Sequence, residues 1–87
     1  MHRDVFISAP PPGDYILNPA GFTWHVRRAT GTGSMLSLSV TDRTRKGALA
    51  RMLALAETDR ADAWENDGTD SFRLVKRFRA SAAGPTL

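Results

Sequence analysis

Basic residues crowd the segment that should begin the longest helical pattern of this chain. Arg43, Arg45 and Lys46 lie close together there, and the hydroxyl groups of Thr41 and Thr44 accompany them. The first N–H groups of a helix lack partners within the helix, so a helix start that also carries cations is well suited to bind an anion. The segment therefore predicts an anion pocket, although positive charge at this position opposes the helix dipole.

Further arginines fall on segments with the alternation of strands. Arg73, Arg77 and Arg79 recur on one side of such a segment, and Arg27 and Arg28 follow His25 on another. A stripe of this kind can track a phosphate backbone, and a solvated arginine-rich surface explains it equally well. The candidate binding residues are Arg27, Arg28, Arg43, Arg45, Lys46, Arg73, Arg77 and His25.

Catalytic and metal motifs are weak in this sequence. His25 could act as a general acid or base near neutral pH, but strand parity places no carboxylate beside it. The glycines of Gly31-Thr32-Gly33 precede a strand instead of a helix, which favours a hairpin turn over a phosphate loop. The acidic stretch 65–70 lacks the ligand spacing of a calcium loop. We expect no enzyme activity, no cofactor and no metal site.

Three segments alternate with period 2 and indicate strands. The first covers about residues 14–17, and Asn18–Gly21 is expected to turn the chain. The second runs over about residues 22–29 and the third over about residues 35–41, joined by a glycine-rich turn. One face of this pair is expected to be dry, through Phe22, Trp24, Val26, Leu36, Leu38 and Val40, and the other face, which includes His25, is expected to be wet.

Apolar residues then recur at spacings of three and four, which predicts a helix over about residues 43–59 capped by Thr41, Asp42 or Thr44. A fourth strand is expected from Phe72 to about Arg79. A crossover helix should place it parallel to the first or third strand. The predicted fold is α+β: a three-stranded antiparallel meander, one crossover helix packed on one face, and a C-terminal strand (βββαβ).

The domain organisation follows from composition. Residues 14–79 are expected to form one α+β domain, because a chain of 87 residues supports a single small core. Residues 1–13 contain three consecutive prolines and are predicted to be a flexible arm, with Val5–Ser8 as an alternative short edge strand. Residues 80–87 are predicted to be a disordered tail.

Charge and cysteine content narrow the class of protein. The net charge is +3, and ten of the twelve basic residues are arginine. Six of the nine acidic residues lie within residues 57–70, so the chain is bipolar along its length. Cysteine is absent, which excludes disulfides and thiol chemistry and is compatible with the cytoplasm, the compartment we expect. No apolar run is long enough for a membrane span or a signal peptide.

The stretch Gly21–Glu57 resembles the arm-type DNA-binding domain of tyrosine integrases in pattern. The matching features are Gly21 and Trp24 at the second strand, the turn at Gly31–Gly33, and Thr41 and Thr44 before an alanine- and leucine-rich helix. That resemblance implies a three-stranded sheet laid in the major groove. Two departures are Ser37 and Ser39, where a groove reader favours basic or amide residues, and the strand after the helix. The element order is also similar to small bacterial domains of unassigned function and to small phage inhibitors that block a partner protein.

Two functions are consistent with these observations. The first is a non-enzymatic module that binds a protein, as an accessory or inhibitor of a phage or mobile element, through the wet face, the basic helix start and the acidic segment. The second is a DNA- or RNA-binding module that uses the basic sheet face and the helix start. No membrane partner is expected, and a homodimer through a free edge at Tyr15–Leu17 or Arg73–Arg79 is a further expectation.

Overall fold

The computed structural model describes residues 5–31, 34–66, 68–69 and 71–79, and for residues 31 and 34–39 it describes the backbone alone. This part of the chain contains six strands and one helix. The strands are β1 (Phe6–Ile7), β2 (Tyr15–Ala20), β3 (Thr23–Gly31), β4 (Ser34–Asp42), β5 (Ala63–Asn66) and β6 (Phe72–Lys76). The helix, α1, covers Arg45–Asp59. No helix in these ranges is long and apolar enough to cross a membrane.

The strands form one mixed sheet in the order β1-β6-β5-β2-β3-β4. Strands β2, β3 and β4 make the predicted antiparallel meander. Helix α1 then returns along the sheet, β5 pairs parallel with β2, and β6 and β1 follow in antiparallel pairing. The α+β class is confirmed, and the sheet contains more strands than the βββαβ prediction.

The parallel strand that follows the helix is not the one predicted. Ala63–Asn66 occupies that position, and the predicted fourth strand lies beyond it as β6, antiparallel to β5. The sequence Ala-Trp-Glu-Asn is only four residues long and mixes apolar and polar side chains, so its alternation is too short to recognise. Phe6–Ile7 pairs with β6, which confirms the edge-strand alternative for Val5–Ser8.

The hairpin between β2 and β3 turns later than predicted. Strand β2 continues through Pro19 to Ala20, and Gly21 takes a φ of 64° at the first position of a two-residue turn. Pro19 is tolerated because β5 pairs only with Tyr15–Leu17, so no ladder hydrogen bond needs its missing N–H on that side. Phe22 becomes the second turn residue and is 99% exposed, so its predicted place under the helix is wrong.

The main core lies between α1 and the middle of the sheet. Leu17 and Val26 pack there against Met52 and Ala56 of the helix, all fully buried. Trp24 also packs against this cluster, while His25 follows on the other face of β3, which confirms the predicted sidedness of these two rings. Val40 packs against the cluster too, and the predicted core side chains of Leu36 and Leu38 lie outside the described part.

The face of the sheet away from α1 is apolar over β2, β5 and β6. Ile16, Trp64 and Phe72 are buried there. Strands β1 and β2 are separated by β6 and β5, so residues 8–14 must cross these strands, and Pro10 within that segment is buried.

Candidate functional site

The Gly21–Phe22 turn, the end of β4 and the start of α1 lie at the same end of the sheet. We call this end the hairpin end. Trp24 pairs with Asp42, so the turn and the β4–α1 junction are neighbours. Arg43 and Lys46 are exposed at this junction, and neither forms an ion pair in the described part of the chain. The hairpin end therefore combines an aromatic ring in solvent with two free cations.

The predicted anion pocket at the helix start contains a carboxylate of the chain itself. Asp42 Oδ1 accepts hydrogen bonds from the Thr44 N–H at 2.9 Å and the Thr44 hydroxyl at 3.1 Å. Thr44 is the N-cap, and its hydroxyl accepts from Gly47 N–H at 3.0 Å. The hydrogen bonds from Thr44 hold the pKa of Asp42 below its usual value. An external anion would meet this negative charge.

Two of the predicted binding arginines converge on one glutamate. Glu65 accepts from Arg45 Nε at 2.8 Å and from Arg45 Nη2 at 2.6 Å, and Arg73 Nη2 lies 2.8 Å from Glu65 Oε1. This bidentate arrangement ties α1 to β5 and β6. The hydrogen bond from Arg45 is the main cause that lowers the pKa of Glu65, and the same bond raises the pKa of Arg45.

The opposite end of the sheet, called the aspartate end, contains two buried carboxylates at the starts of β2 and β5. Asp14 is fully buried and accepts from the indole N–H of Trp64 at 2.9 Å, from the Asp62 N–H at 3.1 Å, and from Arg79. Because a buried charge needs a partner, Arg79 and Trp64 are what allow Asp14 to stay inside.

Asp62, the neighbour of Asp14, holds the chain that leaves β6. Its carboxylate accepts from the N–H groups of Phe78 at 3.0 Å and Arg79 at 2.9 Å. Arg77 Nε lies 3.6 Å from the same carboxylate. Arg77 is thereby used in an internal ion pair and does not continue a stripe with Arg73, which lies at the hairpin end.

Arg28 also contacts the protein itself. Its guanidinium lies 5.4 Å from the centre of the Tyr15 ring and 4.0 Å from Asp59 Oδ2 at the end of α1. The Tyr15 hydroxyl donates to Asp59. Desolvation and this hydrogen bond raise the pKa of Tyr15. Three carboxylates of the predicted acidic segment, those of Asp59, Asp62 and Glu65, are thus paired with arginines from other elements and do not form a separate acidic lobe.

His25 and Arg27 lie on the face of β3 away from the helix. His25 Nε2 is 3.1 Å from Thr23 Oγ1. Arg27 Nε is buried and has no hydrogen-bond partner in the described part of the chain. The predicted binding residues are therefore distributed over three places: the hairpin end (Arg43, Arg45, Lys46, Arg73), the aspartate end (Arg28, Arg77), and the face of β3 away from the helix (His25, Arg27).

Sequence reasoning missed Phe22 and Asp14 as notable residues. Phe22 was assigned to the core by alternation with Trp24, although the preceding Gly21 could have marked the turn. Asp14 follows proline and glycine and is typical of a solvated turn residue, and only its partners in β5 and after β6 explain its burial. No local signal indicates those partners.

The outer edge of β4 is the longest free strand edge in the described part of the chain. Strand β4 has nine residues and pairs only with β3. The ladder has register shifts between His25 and Arg27 and between Ala29 and Gly31. Tyr15–Leu17, one of the two predicted free edges, lies between β3 and β5 and is not an edge. Phe72 and Arg73 in β6 are paired with β1.

Comparison with known proteins gives no family assignment: no family model, no curated protein and no solved structure matches the chain.

Proposed function

We propose that the chain is a small non-enzymatic module that binds a protein partner by strand addition at the outer edge of β4. The observation that supports this most is the nine-residue length of β4 together with pairing on one side only. A free strand edge presents a row of unpaired N–H and C=O groups, and an extended peptide can complete that row.

The two edges of the sheet differ in how they are protected. The β1 edge has two residues and is followed within three positions by prolines, which are features that discourage pairing. The β4 sequence, Ser-Met-Leu-Ser-Leu-Ser-Val-Thr-Asp, contains no lysine and no proline. Register shifts opposite His25–Arg27 and opposite Ala29–Gly31 interrupt the ladder, so we expect a peptide to pair first along residues 35–37, which lie between them.

The alternative function is binding of DNA or RNA. It is favoured by half-buried His25 and Arg27 on the face of β3 away from the helix, and by exposed Arg43 and Lys46 at the helix start, which form no ion pair within the described residues. Internal ion pairs involve Arg28, Arg45, Arg73 and Arg77, so fewer cations remain for phosphates than the sequence alone suggests. That pairing supports a protein partner over a nucleic acid.

A displayed random-peptide library, panned on the immobilised chain, tests the proposal. Bound peptides should slow hydrogen exchange of β4 amides and leave β6 amides unchanged. Leu36→Pro and Ser37→Pro form a matched pair, because neighbouring N–H groups of an edge strand point to opposite sides. The variant in which proline replaces a residue whose N–H faces outward should stay folded and lose peptide binding. Retained binding in that folded variant, or peptides that leave β4 exchange unchanged, would contradict strand addition.

A salt series with duplex and single-stranded DNA of mixed sequence tests the alternative. Binding with a steep salt slope that Arg43→Gln and Lys46→Gln reduce would favour nucleic acid. If the wild-type chain forms a dimer as its concentration rises, and the folded proline variant stays a monomer, the strand partner is a second copy of the chain. An inhibitor role would require that the partner loses activity when bound.

A further inference from the structure

We propose that Phe22 is an anchor that enters an apolar pocket on an acidic surface of a protein partner, where Arg43 and Lys46 pair with carboxylates around the pocket. This inference rests on the proposed function only in taking a protein as the partner. It concerns the hairpin end and does not depend on strand addition at β4.

The first argument is the exposure of the Phe22 ring. Phe22 is 99% exposed, whereas Phe6, the other clearly exposed phenylalanine of the described residues, is 54% exposed in β1. The turn itself depends on the positive φ of Gly21 and does not need an aromatic residue at the next position. The ring therefore adds nothing to the fold, and its burial by a partner would remove a large apolar area from water.

The second argument is the charge at the hairpin end, the same end of the sheet that carries Phe22. Arg45 and Arg73 share the single carboxylate of Glu65, and Asp42 accepts the hydrogen bonds of Thr44. Arg43 and Lys46 remain exposed and without an ion pair in the described ranges. A partner surface with acidic groups complements them, and such pairs at the rim of an interface guide association and orientation.

A protein explains this combination better than a nucleic acid or a membrane. Single-stranded nucleic acids are bound by several stacking rings along a basic groove, and Trp24 next to the turn packs against the core instead. Asp42 also places negative charge where a phosphate would approach the helix start. Membrane surfaces need a wider apolar face than one ring. Protein interfaces, in contrast, often depend on one aromatic anchor with a charged rim.

The test is a random-peptide library panned on the folded β4 proline variant, which excludes peptides that bind by strand addition, and the enriched peptides are then measured on the wild-type chain and its variants. Enriched peptides should carry an excess of Asp and Glu. Their affinity should fall about thirtyfold in Phe22→Ser and about threefold in each of Arg43→Gln and Lys46→Gln. The matched controls, Phe6→Ser for the exposed ring and Lys76→Gln for an exposed cation, should leave affinity within about twofold.

Several outcomes would overturn the anchor. One is a set of enriched peptides without acidic bias, and another is an equal loss in Phe6→Ser and Phe22→Ser. Binding of a mixed-sequence oligonucleotide or of anionic phospholipid vesicles that is lost in Phe22→Ser would assign the ring to that partner instead. The folded β4 proline variant separates the two proposals, because it should keep the binding that depends on Phe22. If Phe22 is not an anchor, peptides that add a strand should still slow hydrogen exchange of the β4 amides.

Discussion

At the scale of single residues, Asp42 compensates an unfavourable charge arrangement at the start of α1. The first turn of the helix contains no acidic residue and includes Arg45 and Lys46, which oppose the helix dipole. Asp42 lies just outside the helix and places its carboxylate against the Thr44 cap. The basic helix start that suggested an external anion therefore depends on an internal one.

Gly47 is required by this arrangement. A Cβ at position 47 would lie 2.5 Å from Asp42 Cγ. We expect Gly47→Ala to lower the free energy of unfolding by about 1–2 kcal/mol, because the carboxylate must move away from the cap. In an Asp42→Ala background the same change should become stabilising by about 1 kcal/mol, since alanine favours a helix over glycine. Urea denaturation of the four proteins measures the cycle, and equal effects in both backgrounds would contradict the clash.

Glu65 should make the stability depend on acid pH. Its pKa in the folded chain is lowered by Arg45, so its contribution is present above the unfolded-state pKa near 4 and is lost as the pH falls through the folded value. We expect Glu65→Gln to be less stable at pH 7 and to lose less stability between about pH 5 and 2. Parallel profiles for wild type and Glu65→Gln would be inconsistent with this ion pair.

The residue scale is also where sequence reasoning is uneven. Thr44 was one of three candidate caps, because hydroxyl side chains before an apolar helical pattern cap helices. Trp24 and His25 were assigned to the correct faces by alternation alone. Phe22 was not, because alternation assumes that the strand has already begun, and the chain is still turning at that residue.

At the scale of elements, α1 ends at a strained residue. Arg60 adopts φ 53° and ψ 42°, and its N–H completes the cap by donating to the carbonyls of Ala56 and Glu57. A left-handed conformation costs an L-residue about 1 kcal/mol and glycine almost nothing. Arg60→Gly should therefore raise stability by about 1 kcal/mol in urea denaturation. Ala50→Gly, in the exposed middle of the helix, should lower it by a similar amount. A loss of stability in Arg60→Gly would point to an unrecognised role of its side chain.

The exit of β6 depends on Asp62. Asp62→Ala removes the acceptor of the Phe78 and Arg79 N–H groups and one partner of Arg77. We expect stability to fall by about 2–4 kcal/mol and the amides of 78 and 79 to exchange faster than those of β2. Hydrogen exchange by NMR measures both. Uniform acceleration across the sheet would indicate global unfolding alone, and unchanged exchange at 78 and 79 would contradict the role of Asp62.

The elements found from sequence are those with long periodic patterns. Strands β3 and β4 have nine residues each and α1 has fifteen, so each is long enough for its spacing of apolar residues to recur. Strand β5 has four residues, and its identity depends on parallel pairing with Tyr15–Leu17, a contact that no local pattern encodes. The candidate site was only partly predictable for the same reason, because the ion pairs of Arg45, Arg73 and Arg77 involve carboxylates on other elements.

At the scale of the whole molecule, the sheet joins segments that are far apart in the chain. Strand β1 pairs with β6, and Ile7 packs against the cluster of Trp64 and Phe72. Removal of residues 1–7 should lower stability by about 1–2 kcal/mol, because an apolar contact and an edge strand are lost. The urea midpoint measures the loss. Phe6→Ser keeps the strand and should change the urea midpoint little. An unchanged midpoint after removal of residues 1–7 would show that β1 does not stabilise the sheet.

The parallel pair β2–β5 at the middle of the sheet has a consequence for how fast the molecule can form. We expect local hairpins to form first, because the β2–β5 ladder joins two strands that are separated in the chain by β3, β4 and α1. During synthesis on the ribosome, the meander emerges before β5 has been made. The edge of β2 that later pairs with β5 is therefore exposed to water until translation of β5 and β6 is complete. Refolding should accordingly be slow for a chain of this size, and nascent chains should be most prone to aggregate just before β5 appears.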